Sequence, residues 1–394
     1  MAASRSDRPA LPPALRSLLE AGGALVRRSS SGRVALGRAA ALVAEDAVPA
    51  ALAKLPAELE AARATAATPV AFKDVEKILK NAWDRAPGKV LDDLDREPVA
   101  VTPSAQVHRG ERDGAAVAVK VLRPGLAAAV RNDLALLDVL AGPLKQVFGA
   151  MDAGTILREV RESALDELDL EHEASTQRQA RRALRSVPGL TVPAPDMELS
   201  SDAVLVSEWL AGPTLHEAEP GDPADVARTL VAAHVAAARA GLILTDPRPG
   251  HVVLLDSGGV GLLGAGVARP VDRDRVGVAL DALVAYRAGD QDGFAAVVAD
   301  RLQLLPTGDA LKASALSAVI LGDLLSGEAR LDGPALAGVI QRALEHLTAG
   351  LALAATVTPH PHDLAIARSI GQLASVVARL DATEDWGGLM LEAP

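Results

Sequence analysis

Two groups of charged residues in this chain have types and spacing that suit phosphate chemistry. Lys120 closes the run Val117-Ala118-Val119-Lys120, whose apolar pattern reads as a strand. An amine fixed at the end of a strand can neutralise a phosphate, although such a lysine is also commonly just solvated. The second group is the acidic run holding Glu167, Asp169 and Glu173. Asp169 and Glu173 are four residues apart, so a helix would put both on one face. Taken alone, that spacing equally suits a solvated acidic helix.

Other constellations carry less. Gly259-Val260-Gly261-Leu262-Leu263-Gly264 satisfies the pattern G-x-G-x-x-G. A dinucleotide site needs that turn to open a helix after a strand. Here it runs into Ala265-Gly266-Val267 and Pro270, which argues against such a site. His360-Pro361-His362-Asp363 has metal-ligand types, yet Pro-rich loops at helix starts often hold such residues. His108 and His234 read as structural. No Gly-x-Ser-x-Gly elbow or Walker lysine loop occurs.

The elements that must position these residues follow from composition and pattern. At 394 residues, 49% of them hydrophobic, the chain can bury a sizeable core in two lobes. Aromatics make up only 2%, so Ala, Val and Leu carry the core and favour helices. Fifty-one acidic residues against 40 basic give a net charge of −11, which excludes the basic footprint of a nucleic-acid binder. With no cysteine, disulfides and thiolate metal sites are excluded, and a cytoplasmic setting is compatible. No apolar stretch reaches the ~20 residues of a spanning helix. Leu347 to Val357 is expected as a buried helix instead. Met1 to Arg38, rich in Arg and Ser, superficially suggests a transit peptide but follows the general composition. A basic surface helix touching anionic lipid, and so a peripheral membrane contact, is the alternative.

Residues 10 to 64 read as helical segments, with Pro56 kinking the run that carries Leu52, Leu55 and Leu59. Val75 to Trp83 is a further helix. Ser104 to Arg109 and Ala115 to Leu122 form a hairpin about the turn signal Asp113-Gly114. Helical pattern returns over Leu126 to Leu144 and Ala153 to Leu184, followed by a strand at Ala203 to Val206. Asp225 to Ala240 is a helix closed by Gly241. His251 to Leu255 and Val260 to Leu263 make a second hairpin. From Asp272 to the end the pattern is helical.

The blocks around these residues resemble the ABC1/UbiB family of atypical kinases. Pro98 to His108, with Ala105-Gln106-Val107-His108, and Val117 to Pro124 match its alanine-rich loop and lysine strand. Glu167-Leu168-Asp169-Leu170-Glu171-His172-Glu173-Ala174 matches its acidic block. Val206 to Gly212 matches its hinge, and Gly241 to His251 its catalytic loop, written His-Ala-Asp-Pro-His-Pro-Gly-Asn. Ala365 to Asp381 resembles its closing helix. The resemblance implies an α+β, two-lobed protein-kinase-like fold: a small β-rich N-lobe with helical additions and a mostly helical C-lobe. It implies boundaries at 1–72 for a helical extension, 73–210 for the N-lobe and 211–394 for the C-lobe. It implies that Lys120 pairs with Glu173, that Glu167 and Asp169 face the nucleotide, and that Ser104, Gln106, Glu208 and Leu210 help bind it. Asp246 stands at the catalytic aspartate.

The resemblance breaks where the metal should sit. His251 replaces the metal-binding asparagine, and Gly264 replaces the Asp-Phe-Gly aspartate. Leu244 and Arg248 replace the loop's two histidines, and Asp256 falls in the hairpin turn rather than substituting for the lost acid. Ala35-Leu36-Gly37-Arg38 keeps only the glycine of the family's Lys-x-Gly-Gln signature. Thr102-Pro103 stands in the alanine-rich loop, where proline removes a backbone donor. Histidine is a poor magnesium ligand, since hard cations select oxygen. Magnesium contributes several kcal/mol to phosphoryl transfer and ~1.4 kcal/mol is tenfold in rate, so losing both ligands costs roughly three or more orders of magnitude.

The expectation is a pseudokinase that binds ATP, with magnesium doubtful, and acts as a regulatory or scaffolding module. The resemblance implies a setting in isoprenoid-lipid or quinone metabolism and an unidentified protein partner. The alternatives are a weakly active kinase or ATPase using Lys120, Glu173 and Asp246, and a lipid-surface adaptor that binds no nucleotide.

Overall fold

The computed structural model describes residues 68–394, except 103, 127, 129, 131–133, 135–140, 143–144, 146–153, 155–156, 159–160, 162–164, 166–167, 359 and 361–362. The expected N-terminal helices, the Ala35 to Arg38 match, Pro103 and Glu167 therefore lie outside the described residues, as do most of the expected helix from Leu126 to Leu144 and much of the first half of that from Ala153 to Leu184.

Helix α1 (Phe72–Trp83) carries Val75, Leu79 and Trp83 at four-residue spacing, and that stripe is buried. It lies on a twisted sheet built from β1 (Asp93–Leu94), β2 (Ala100–Val101), β3 (Ala105–Arg112) and β4 (Ala115–Leu122). β3 and β4 join through Asp113 (φ 52°) and Gly114 (φ 76°). Two left-handed residues in sequence match the twist of paired strands, which is why Asp-Gly marks a tight hairpin. Val119 and Val121 face α1 together with Val204 and Val206, and these residues close the first core. Each such side chain contributes about 1.5–3 kcal/mol on burial, and Leu79→Ala would cost about 2–5 kcal/mol by opening a cavity.

On the other side of the sheet lies α2 (Leu170–Ala183), with Leu170 and Ala174 packed on Leu122 and Leu205. After α2 come β5 (Leu190–Thr191), β6 (Pro195–Asp196) and β7 (Val204–Glu208). β7 pairs antiparallel with β4, setting Leu205 opposite Lys120, and the sheet runs β1-β3-β4-β7-β6 with β2 on β3. Gly212, at φ 138°, then lies against the Leu254 carbonyl too closely for a side chain.

The second lobe is built on α3 (Pro223–Arg239), whose first turn is capped by Asp222 accepting from Asp225 N (3.0 Å). Gly241 (φ 91°) closes the helix. β8 (Leu242–Ile243) follows, then β9 (Val252–Leu254) and β10 (Val260–Leu262), a hairpin turning on Gly258 and Gly259. β10 also pairs in parallel with β5, and β11 (Arg269–Pro270) pairs with β8. Helices Arg273–Arg287, Gln291–Ala296, Thr307–Leu321, Gly333–Glu345, Leu347–Ala354, Asp363–Leu380 and Trp386–Glu392 complete the lobe.

Two expectations for this lobe are corrected. The stretch after Asp272 is not all helical: Glu328–Leu331 pairs antiparallel with Ala382–Asp385. The segment from Leu347 is helical as far as Ala354 but holds no buried residue, so it is a surface helix. Among the described residues no helix is long and apolar enough to cross a membrane.

Candidate functional site

The sheet and α2 bring the first two charged residues together. Lys120 Nζ donates to both carboxylate oxygens of Glu173, at 2.7 and 2.8 Å. Alternation along β4 turns Val119 and Val121 toward α1 and Lys120 toward α2. Glu173 is in the first turn of α2, where its charge also suits the helix dipole. The Glu173 side chain is 9% exposed and that of Lys120 26%, so the pair is largely sheltered from water. α2 lies so close to the turn at 264–267 that a Cβ on Gly266 would come within 2.5 Å of Glu173 Cγ. A glycine there lets the helix set Glu173 at the lysine.

The loop carrying Asp246 is pinned from both sides. Thr245 Oγ1 donates to Val267 O (2.6 Å), and Ser369 Oγ donates to Leu244 O (2.5 Å). Leu244 is buried with Leu184, Leu262 and Ala265. A single 3-10 turn, Pro249–His251, then folds His251 back toward Asp246. Arg248 donates to His251 Nε2 from Nε (3.0 Å) and Nη2 (2.6 Å), and its Nε lies 3.5 Å from Asp246 Oδ2. Arg248 Nε also lies 3.4 Å from Nδ1, so the guanidinium lies across the ring, while Nδ1 is 3.1 Å from Asp246 O. Burial pushes the His251 pKa down to about 3, with Arg248 adding to the effect and Asp246 opposing it. Lys120 also lowers it, which places that charge within range of the same ring.

Gly264 faces this ring. A Cβ built there would lie 2.5 Å from His251 Nδ1 and 3.1 Å from Asp246 O. The two positions expected to hold metal ligands are therefore neighbours in space, and the imidazole fills the room between them. These residues do not fit magnesium. Glycine brings no oxygen, both ring nitrogens of His251 lie against a guanidinium, and the Asp246 carboxylate stands beside that same cation. Among the described residues no group of three or more His, Cys, Asp or Glu converges to hold a metal.

Several expected site residues do other work. Gln106 is 1% exposed, accepts from Val70 N (2.7 Å) and reaches His108 Nε2 (2.8 Å). It pairs with Val121 across the β3–β4 ladder while Val107 pairs with Lys120. Gln106 therefore points to the α1 face, away from Lys120, where Val70 and His108 hold its amide. Asp169 is not on a helix face with Glu173: it is the N-cap of α2, accepting from His172 N (3.0 Å). Ser104 lies in a turn held by Thr102, whose N–H and hydroxyl both donate to Ala105 O (2.8 and 3.0 Å). Glu208 N donates to Ala194 O (2.9 Å) and its carboxylate accepts from Ala194 N (3.2 Å), so this hinge residue is tied to the chain before β6. Leu210 is buried against Gly261 of β10.

The remaining histidines settle similarly. His108 is fully buried, bonded to Asp95 O (2.8 Å) and edge-on to Phe72. His234 bonds Leu230 O (2.7 Å), and burial lowers its pKa to about 4. Asp363 caps the turn at His360 N (2.7 Å) and takes a two-pronged bond from Arg275 (3.2 and 2.9 Å), which is a structural use of that cluster. Arg248 and Gly266 were not among the sequence-based site residues. The only signal for Arg248 was its place two residues after Asp246, where the family has histidine.

Comparison with known proteins agrees with this arrangement. The model of the ABC1 atypical kinase-like domain matches residues 64–298. AarF domain-containing protein kinase 1 of Xenopus tropicalis is 28% identical over 196 residues, 46% of this chain and 36% of that protein. Its Xenopus laevis counterpart is 28% identical over 149 residues, 38% of this chain and 29% of that protein. The match thus spans about a third of the length of these curated relatives. Among solved structures, that of the Rv3197–erythromycin complex from Mycobacterium tuberculosis covers 90% of both chains at a TM-score of 0.62 and 22% identity, a likeness of fold. A sheet lysine paired to a helix glutamate, with the family model matched over more than half the sequence, leads to one conclusion: this chain belongs to the ABC1 atypical kinase-like family.

Proposed function

We propose that this chain is a nucleotide-binding pseudokinase that works as a regulatory or scaffolding module. The observation that carries the reading is the pairing of Lys120 with Glu173 beside two expected metal positions that hold His251 and Gly264. A lysine held in this way is positioned for the α- and β-phosphates of ATP. Without the ion that bridges β- and γ-oxygens, transfer loses its main source of charge neutralisation. By analogy with the family, the setting is isoprenoid-lipid or quinone metabolism and the module acts on a protein partner.

Thermal unfolding with and without millimolar ATP tests this reading. The expected result is a stabilisation that disappears in Lys120→Ala, because a ligand that binds only the folded state raises the melting temperature. No shift at millimolar ATP would overturn it.

One observation favours a second reading, a lipid-surface adaptor. Helices Gly333–Glu345 and Leu347–Ala354 hold no buried residue, and Leu344 is 52% exposed. Co-sedimentation with anionic vesicles in the absence of ATP, together with no thermal shift, would select it.

A further inference from the structure

We propose that the Arg248 guanidinium takes the place of the divalent cation, so that the site receives the nucleotide as a metal-free anion. This rests on the nucleotide-binding reading above and specifies which form of the nucleotide is bound.

Arg248 spans Asp246 (3.5 Å) and His251 (3.0 and 2.6 Å), that is, the loop carboxylate and one of the two positions at which a metal ligand was expected. His251 in turn covers Gly264, the other position. A fixed positive charge thus stands against two of these three residues, Asp246 and His251, and the ring fills the space in which an acid at 264 would hold an ion.

Charge points the same way. Lys120 and Arg248 carry two positive charges and Glu173 and Asp246 two negative ones, so these four side chains sum to zero. With an aspartate at position 264 the same set would be negative, and it would repel phosphate until a cation entered. Replacing that acid with glycine and adding an arginine removes the need for the cation. A guanidinium is also permanently charged, so Arg248 acts on phosphate oxygens through its charge while Nε and Nη2 stay on His251. Unlike a bound ion, it cannot be lost to a chelator. Magnesium bound to ATP would lower the charge of the ligand and carry its hydration shell toward Arg248.

Isothermal titration of ATP into the full chain tests this, once in EDTA and once in excess magnesium. The expected affinity in EDTA is at least as high as in magnesium. Arg248→Gln is expected to weaken binding in EDTA by roughly tenfold or more, the scale of one charge-assisted hydrogen bond, whereas Arg248→Lys keeps part of it. Tighter binding in magnesium than in EDTA would overturn the proposal and leave the nucleotide-binding reading intact. Absence of binding under both conditions would overturn both. Wild-type affinity in Arg248→Gln would remove Arg248 from the role. The comparison of the two buffers needs no variant and so stands even if Arg248→Gln fails to fold.

Discussion

The imidazole of His251 lies over the Cα of Gly264, so close that a Cβ there would come within 2.5 Å of Nδ1. The catalytic-loop position and the position after the hairpin are each other's neighbours, as a metal centre would require. Here a ring and a hydrogen atom meet instead of two ligands. The two positions are adjacent, but the side chains they carry are not those of a divalent-cation site.

Restoring the acid alone is expected to harm the fold. Gly264→Asp drives a side chain into His251 and toward Asp246 O, and overpacking of this kind costs typically about 1–3 kcal/mol. Removing the ring in the same chain, as His251→Asn with Gly264→Asp, is expected to recover much of that loss. Urea unfolding of the single and double variants measures the difference. Additive losses would show that the two side chains do not compete for one space.

The Lys120–Glu173 pair is expected to be coupled. Lys120→Met leaves the Glu173 carboxylate sheltered without its cation, and Glu173→Gln leaves a charged lysine with a weaker acceptor. Breaking a fully buried pair costs about 3–5 kcal/mol, and the 26% exposure of the lysine side chain brings the expectation to roughly 1–3 kcal/mol. A double-mutant cycle in urea should return a coupling of at least about 0.5 kcal/mol. Zero coupling would contradict the pairing.

Gly266 is expected to be intolerant of even one carbon. Gly266→Ala meets Glu173 Cγ at 2.5 Å and Glu173 O at 3.0 Å, so α2 must move and take its carboxylate with it. ATP affinity is expected to fall roughly tenfold, in line with loss of the charge-assisted bonds that hold Lys120 in place. Wild-type affinity in this variant, measured by titration, would separate helix position from nucleotide binding.

Acid should loosen the molecule through its buried histidines. His234 is held to a pKa of about 4 and His251 to about 3, both below the ordinary value for histidine. Between those values and ~6.5 the unfolded chain binds protons that the folded chain does not, so stability falls as pH drops through that window. At pH 7 the folded rings are neutral and the unfolded ones only about a quarter protonated, so the slope there is small and steepens as pH falls. Melting temperature against pH should decline below ~6.5, and His234→Leu should flatten part of that decline. An unchanged slope in the variant would contradict the burial of a neutral ring.

Much of the site was legible because its residues sit on short, strongly patterned elements. The turn at Asp113-Gly114 sets the β3–β4 register, and with it the face on which Lys120 lies. The same register sets Gln106 on the other face. Counting back from the turn sets Gln106 opposite Val121 and Val107 opposite Lys120, on opposite faces. Gln106→Leu is accordingly expected to cost about 1–3 kcal/mol by orphaning Val70 N, with no change in ATP affinity.

Other features had no local signal. Glu328–Leu331 and Ala382–Asp385 are four-residue strands that pair across about 50 intervening residues, and strands so short are shaped by their partner rather than by their own pattern. Asp169 was expected to face the nucleotide on the family resemblance, and its spacing from Glu173 suits a helix face, but the helix begins one residue later and uses Asp169 as its cap. Arg248 was visible only as a substitution. Its meaning came from geometry, once the 3-10 turn had folded His251 onto its guanidinium.

The central claim is that the site holds nucleotide phosphates without transferring them. Phosphorus NMR of ATP with stoichiometric protein and excess magnesium, followed over hours, reads both halves at once. The account predicts perturbed ATP resonances with no growth of inorganic phosphate or ADP. A magnesium-dependent loss of the γ-phosphate signal that stops in Asp246→Asn would contradict it.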